Sequence, residues 1–332
     1  MYSLIIPVYK NEGSIPDLIA VLKEMNYQMM GDLEVVFVVD GSPDRCYELL
    51  SEALSSVTFR ARLILFSRNF GSFVAIRAGL NAASGSLFAV MSADLQEPQE
   101  FIIDSFHILE TEPIDVVIGT RESRDDPFFS RLAANVFWYS YRKFVMHDIP
   151  VGGVDVFGCN QAFRTELLRL EESHSSLIGL VFWLGFRRKM VGYKRLKRRH
   201  GRSAWTFQRK INYLMDSIFA FTDLPIKILM TIGTLGILIS ILLSAVILMA
   251  RFAGGLIVPG YTASALIIVF FGGLNMLALG LIGSYAWRTF ENTKQRPLYI
   301  VFRDSVFEGS EIVRESPRAL GTPASSSKLS TE

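Results

Sequence analysis

Two short polar stretches, each following an apolar run, carry side chains suited to holding a phosphate-bearing ligand. Ser92-Ala93-Asp94-Leu95-Gln96-Glu97-Pro98 comes directly after Leu87-Phe88-Ala89-Val90-Met91. An apolar run ended by turn-forming residues reads as a buried strand, and the polar residues after it lie where ligands bind, at the carboxyl edge of a parallel sheet. Asp94 and, one side-chain period later, the amide oxygen of Gln96 form an oxygen donor set suited to Mg²⁺ or Mn²⁺ on a nucleotide diphosphate. The same residues equally suit an Asp-containing turn, so this stretch alone leaves both readings open. Asp40-Gly41-Ser42-Pro43-Asp44 follows the apolar run 33–39 and brings a second carboxylate and its turn amides to the same edge.

The elements that must position these loops follow from hydrophobic period. Through about residue 120, β-type runs at 4–8, 33–39, 62–66, 87–91 and 116–119 alternate with helical stretches such as 14–25 and 73–83. That alternation predicts an α/β domain with a doubly wound parallel sheet. No Gly-X-Gly-X-X-Gly follows the first run and no Walker sequence occurs, which argues against dinucleotide and P-loop chemistry. Cys46 and Cys159 are too few for a disulfide framework and agree with a reducing compartment.

Hydrophobic residues make up 50% of the chain and charged ones 20%, and the apolar excess is local. Residues 228–250 and 252–287 carry no charge, with Arg251 between them. Each is long enough to cross a hydrocarbon core of about 30 Å, and Val258-Pro259-Gly260-Tyr261 supplies a turn, so 226–288 reads as a transmembrane hairpin. Arg209, Lys210 and Lys227 precede it and Arg288, Lys294 and Arg296 follow it, whereas the connecting loop has Arg251 alone. The positive-inside rule then places both ends, the amino-terminal domain and the carboxyl terminus, in the cytoplasm. Met1 leads at once into a strand-like run, so no signal peptide is expected. The expected location is therefore a membrane, as a two-span integral protein. Small residues Gly272, Gly273, Gly280 and Gly283 in the second span would allow close helix packing and a homo-oligomer.

Between domain and hairpin the chain reads as membrane-facing. Residues 130–145 have helical period, an aromatic face and basic ends, which fits an interfacial helix as well as an ordinary amphipathic core helix. Phe186 to Ser203 is the most basic stretch, placed to meet anionic headgroups. Residues 205–222 read as a second interfacial helix anchored by Trp205, Phe207, Tyr213, Phe219 and Phe221, within a cytosolic unit spanning 1–225. Residues 289–308 return to the cytosol, with a short strand expected at 297–301, and 309–332 has the composition of a disordered tail.

Four motifs in order carry a family resemblance: Pro7-Val8-Tyr9-Lys10-Asn11-Glu12, Val39-Asp40-Gly41-Ser42, Arg68-Asn69-Phe70-Gly71 and Ala93-Asp94-Leu95-Gln96-Glu97-Pro98. Together they resemble the inverting nucleotide-sugar glycosyltransferases of GT-A fold. Over residues 2–300, hairpin included, the chain is most similar to the polyprenyl-phosphate members, such as dolichyl-phosphate mannose synthase and the bacterial undecaprenyl-phosphate enzymes. The resemblance implies that Pro7, Tyr9 and Glu12 line the nucleobase and ribose site, that Asp40 hydrogen-bonds base or ribose, and that Asp94 and Gln96 hold the metal. It assigns Asp155 beside the acceptor, as an orienting carboxylate or base, although Asp155 equally suits a loop Asp that caps backbone amides. Arg199 and Arg202, flanking Gly201, match the segment that grips the acceptor phosphate. One departure stands out: the family pattern Asp-X-Asp-X-Gln is here Ser92-Ala93-Asp94-Leu95-Gln96, one carboxylate short.

The implied function is transfer of a hexose-type sugar from a nucleotide diphosphate, taken as UDP, to a polyprenyl phosphate at the cytosolic face of a bacterial inner membrane. Its partners would be the nucleotide sugar, the lipid acceptor and the membrane, with no nucleic acid. The alternatives weighed are a catalytically impaired nucleotide-sugar-binding scaffold, motivated by Ser92, and a transferase to a non-polyprenyl acceptor. A processive polysaccharide synthase would need more crossings and usually a Gln-X-X-Arg-Trp segment, which is absent. A basic nucleic-acid-binding protein rests on 194–202 alone.

Overall fold

A computed structural model describes residues 1–121, 142–143, 149–150, 154–172, 176–200, 215–252, 261–309 and 311–315. Of the interfacial-helix expectations, 130–145 apart from Arg142 and Lys143 and the 205–214 part of 205–222 lie outside the described residues, as does Arg202.

Nine described strands form one sheet. They are β1 (Tyr2–Val8), β2 (Leu33–Val39), β3 (Arg60–Phe66), β4 (Leu87–Val90), β5 (Val116–Arg121), β6 (Val154–Asn160), β7 (Arg188–Tyr193), β8 (Val301–Glu308) and β9 (Glu311–Glu315). The spatial order is β7-β5-β6-β4-β1-β2-β3-β8-β9. The helices α1 (Ile15–Gln28), α2 (Cys46–Leu54), α3 (Ser72–Ala82) and α4 (Gln99–Thr111) lie between the early strands, as the alternation predicts.

The sheet is mixed, which corrects the expectation of a purely parallel one. β1, β2, β3 and β4 are parallel, as are β5 and β7, but β6 runs antiparallel to both β4 and β5. The segment around Asp155, for which a loop is one of the sequence alternatives, is this antiparallel strand, followed by α5 (Gln161–Arg169) and α6 (Leu177–Trp183). Its consequence is positional. A strand running against its neighbours begins at the edge where they end, so the start of β6 lies at the carboxyl edge of β4. The register Leu87↔Asn160, Phe88↔Cys159, Ala89↔Gly158 carries Asp155 level with the residues just past β4.

Alternate side chains of the central strands feed two apolar layers. Leu4, Ile6, Val35, Phe37 and Val39 pack on one face with Leu18 and Leu22 of α1 and Phe101 and Phe106 of α4. Ile5, Val36 and Val38 pack on the other with Ala75, Ile76 and Leu80 of α3 and Phe163 of α5. Burial on both faces explains why β2 is apolar at every position but one. The exception, Glu34, is buried and satisfied: it accepts from the Ser84 backbone N–H at 2.8 Å and from the hydroxyls of Ser3 and Ser84.

Two long helices, α7 (Leu224–Phe252, 29 residues) and α8 (Tyr261–Thr293, 33 residues), interrupt the sheet's sequence. Among the described residues, Phe270–Thr293 is long and apolar enough to cross a membrane, with mean hydropathy 1.3. Met215–Phe221 and Leu224–Gly236 pass the same test together, as a pair bent by 80°. The chain then returns to the sheet. β8 pairs antiparallel with β3, and Arg62 of β3 grips both carboxylate oxygens of Asp304 of β8 through Nε and Nη2, at 2.9 and 2.7 Å.

That return strand lies later than the 297–301 expected from sequence. Tyr299 instead stacks on Phe66 with ring centroids 5.1 Å apart, wrapping the end of β3 before pairing starts at Val301. β9 corrects the expectation of disorder from residue 309: the free edge of β8 offers a ladder, and 311–315 pair with it whatever their composition. Residues 316–332 lie outside the described residues.

Candidate active site

The crevice is built by the residues that end β1, β2 and β4. Met91 N–H donates to the Ile5 carbonyl at 3.0 Å, and the next bond of a parallel ladder would run from the N–H of residue 7 to the Met91 carbonyl. Residue 7 is proline and has no N–H. The β1–β4 ladder therefore stops at this point, and the chain peels away into the 92–97 turn. Pro7 thus shapes the crevice from inside a central strand, by withholding the bond that would have held Met91 in the ladder.

The turn is braced internally. Ser92 N–H donates to Glu97 Oε2 at 2.9 Å, Gln96 N–H to Asp94 Oδ1 at 3.3 Å, and Leu95 holds the left-handed conformation at φ 54°. For a non-glycine residue that conformation costs about 1–2 kcal/mol, which the buried Glu97 brace offsets. Asp94, 8% exposed, and Gln96 are thereby presented together.

Opposite them, Asp40 is 2% exposed and organises the loop after β3. Its carboxylate accepts from the backbone N–H of Phe70 at 2.6 Å and of Gly71 at 2.8 Å, and from the Asn69 side chain at 3.0 Å. These partners show Asp40 shaping the 68–71 loop, a role the sequence reading, which set it on base or ribose, did not include. Gly41, at φ 53°, must be glycine on a second count: a Cβ there would sit 2.2 Å from the Arg68 carbonyl carbon. The 40–44 turn is tied to the loop after β1. Lys10 N–H donates to Ser42 Oγ at 2.8 Å, Glu12 N–H to Asp44 Oδ2 at 3.2 Å, and Arg45 N–H to Glu12 Oε2 at 3.2 Å. Burial pushes the Asp44 carboxyl up, but bonds from the Cys46 thiol, the Ser42 hydroxyl and the amides of Glu12 and Cys46 outweigh it and hold it below its ordinary value. The Cys46 thiol beneath is pushed up to about 12, chiefly by burial, and is inert. Tyr9 stays half-buried at the rim, with Lys10 Nζ 5.5 Å from its ring centre.

The basic segment after β7 crosses directly over this crevice. Leu196 N–H donates to the Gln96 carbonyl at 2.9 Å and Gln96 Nε2 donates to the Leu196 carbonyl at 3.2 Å. Arg198 Nη2 lies 2.5 Å from Asp94 Oδ2 and 3.4 Å from Gln96 Oε1, and Arg195 Nη2 lies 2.5 Å from the same Oε1. Arg199 points elsewhere, 3.4 Å from Asp17 Oδ2, with His200 Nε2 3.6 Å from the same oxygen. Sequence reasoning singled out Arg199 and missed Arg195 and Arg198. The missed signal is the three-residue spacing of two arginines just past a strand whose partner ends at this edge.

The convergence of Asp94 Oδ2 and Gln96 Oε1 on one guanidinium nitrogen tests the metal assignment: two protein oxygens already share a single cation. A hard dication fits that donor set. Among the described residues no group of three or more His, Cys, Asp or Glu side chains could hold a metal, so such an ion would draw its other oxygens from a ligand and water. Asp155 enters at the same edge through the β6 register.

Comparison with known proteins shows the family. The family model of glycosyl transferase family 2 matches residues 3–170. The uncharacterized glycosyltransferase YkcC of Bacillus subtilis is 33% identical over 95% of this chain and 97% of its own length. An undecaprenyl-phosphate 4-deoxy-4-formamido-L-arabinose transferase of Yersinia pestis is 30% identical over 90% of this chain and 92% of its own. The prophage bactoprenol glucosyl transferase homolog of Escherichia coli is 28% identical over 91% and 98%. The sheet with its strand-end crevice is that of an α/β, GT-A-like transferase, and the chain belongs to glycosyl transferase family 2. It is a glycosyltransferase.

Proposed function

We propose that this enzyme transfers a hexose-type sugar from a nucleotide diphosphate, UDP, to a polyprenyl phosphate at the cytosolic membrane face, with inversion at the anomeric carbon. One observation carries the reading: Asp94 and Gln96 converge on a single cation position at the sheet edge, between the Asp40-organised loops and the start of β6. The named relatives, aligned along nine-tenths of the chain, support the acceptor class, since one is called an undecaprenyl-phosphate transferase and another a bactoprenol glucosyl transferase homolog.

In this reading the base and ribose lie against Tyr9, Glu12 and the 40–44 turn over Pro7. Asp94 and Gln96 hold Mg²⁺ or Mn²⁺, which supplies charge stabilisation to the leaving diphosphate. The acceptor phosphate, with a second pKa of about 6, is already largely ionised. Asp155 therefore orients it in line with the departing diphosphate more than it deprotonates it. Arg199 and Arg202 receive its phosphate, Arg199 by leaving Asp17.

Membrane attachment follows the same logic. Both ends of the α7–α8 pair belong to one unit, because β8 re-enters the sheet through β3 and the Arg62–Asp304 clamp. Helices of 29 and 33 residues reach about 43 and 50 Å at 1.5 Å per residue, ample for two crossings that return to the side they left.

The test is label transfer by the detergent-purified full chain from a panel of UDP- and GDP-sugars to undecaprenyl phosphate, with Mg²⁺, Mn²⁺ or EDTA. Transfer from one donor, abolished by EDTA, is expected. Nucleotide binding without transfer from any donor would instead favour the scaffold reading that Ser92 motivates.

A further inference from the structure

We propose that Arg198, with Arg195 beside it, is the resident cation of the donor site: it holds the metal's place on Asp94 and Gln96, and is handed to the donor diphosphate when metal and nucleotide enter together. This rests on the reading of Asp94 and Gln96 as the metal residues, and adds two positioning residues to the reaction.

The argument is one of shared space and charge. Arg198 Nη2 meets Asp94 Oδ2 at 2.5 Å and Gln96 Oε1 at 3.4 Å, so an ion held by both oxygens must occupy the volume this nitrogen fills. Asp94 is 8% exposed and the Arg198 side chain 25%, so the pair is poorly screened, and a dication beside an unmoved guanidinium would be strongly repelled. Arg195 Nη2, 2.5 Å from Gln96 Oε1, adds a second competing cation. Both arginines must therefore turn away when metal binds.

The backbone limits where they can turn. Leu196, between them, is fixed to Gln96 by two hydrogen bonds, at 2.9 and 3.2 Å, so the arm stays over the crevice while its side chains rotate. The anion nearest that point is then the diphosphate brought in by the metal. A guanidinium fork bonds two phosphate oxygens at once, and here it would neutralise leaving charge that a site with Ser92 in place of a carboxylate leaves to fewer groups. Metal alone displaces the arginines without compensating them, whereas metal with diphosphate does both. The design selects the complete donor over free metal.

The experiment titrates Mn²⁺ into the detergent-solubilised full chain, reading free Mn²⁺ by its paramagnetic resonance signal, without nucleotide and then with UDP. Arg198→Gln should bind Mn²⁺ alone about tenfold more tightly than the parent, because the competing charge is gone. In the presence of Mn²⁺ the same variant should bind UDP several-fold more weakly, having lost the fork on the diphosphate. Arg195→Gln, which loses the bond to Gln96 Oε1 and leaves the Arg198–Asp94 pair in place, should show a smaller change in the same directions and serves if Arg198→Gln fails to fold. Unchanged or weaker Mn²⁺ binding in both variants, while Asp94→Asn still abolishes it, would overturn the proposal and leave the metal assignment standing. Mn²⁺ binding indifferent to Asp94→Asn in either background would overturn the metal assignment itself.

Discussion

The strand-end loops and the basic arm meet at the same crevice but are built in opposite ways. The loops at 40–44, 68–71 and 92–97 are fixed by buried carboxylates bonded to backbone amides within a few residues of the sheet, as Asp40 is to Phe70 and Gly71 and Glu97 to Ser92. The arm at 194–200 is held by two hydrogen bonds to the Leu196 backbone and by single guanidinium nitrogens of Arg195 and Arg198 on Gln96 and Asp94. In the proposed reading the loops are a preformed mould for a nucleotide and the arm is an exchangeable lid of charge. A transferase that admits a soluble donor and then a lipid acceptor, as proposed, gains from having one rigid wall and one that re-pairs.

Breaking the chemistry on the rigid wall should have the largest effect. Asp94→Asn removes the carboxylate at the cation position and is expected to lower sugar transfer by at least about 10²-fold, with a lowered melting temperature because Arg198 loses its partner. Full transfer in that variant would mean that the arm, not the wall, carries the charge. Next in size is Gly41→Ala. A Cβ 2.2 Å from the Arg68 carbonyl carbon at positive φ should cost about 3 kcal/mol, seen in a denaturant melt, and loosen nucleotide binding in step.

Asp40→Asn keeps the shape but turns an acceptor into a donor facing the 68–71 amides, for an expected loss of about 2 kcal/mol. If the loops are rigid for the stated reason, faster hydrogen exchange should appear at Phe70 and Gly71. Smaller again is Asp304→Ala, which opens the clamp on β8 and should cost about 1 kcal/mol without touching transfer from a soluble donor analogue.

The smallest effect is a pH dependence at the start of β7, the strand whose far end delivers the arm. The Arg187 guanidinium beside Asp115, helped by Asn160, holds the Asp115 carboxyl below the usual carboxylate range. A depressed carboxyl contributes stability that is fully present above its ordinary value near 3.9 and is lost as pH falls through the lowered one. The melting temperatures of the parent and of Asp115→Asn should therefore differ above about pH 4 and converge below it. A gap that persists undiminished into acid would assign the Asp115–Arg187 contact to packing rather than charge.

Much of the wall was legible in the sequence because local chemistry decides it. An apolar run ended by turn residues makes a strand and a loop whatever surrounds it, so β1, β2, β4 and the loops holding Asp40 and Asp94 follow from period and turn chemistry alone. Asp155 was found as a residue but not as part of a strand. Val154–Asn160 lacks a clean alternation, and only partners on both sides, β4 and β5, make it one. β8 likewise owes its pairing to the edge of β3, residues more than 200 positions earlier, and β9 owes its pairing to β8.

By itself, then, the sequence determined the donor-side loops, the family and the two long apolar helices, all set by residue type within a short window. Tertiary structure decided which arginine meets which carboxylate. Arg198 and Arg199 are neighbours with the same side chain, yet one lies on Asp94 and the other on Asp17. That choice depends on the direction in which β7 delivers the arm and on the pair of bonds that pins Leu196 to Gln96, contacts between residues a hundred positions apart that no local pattern encodes.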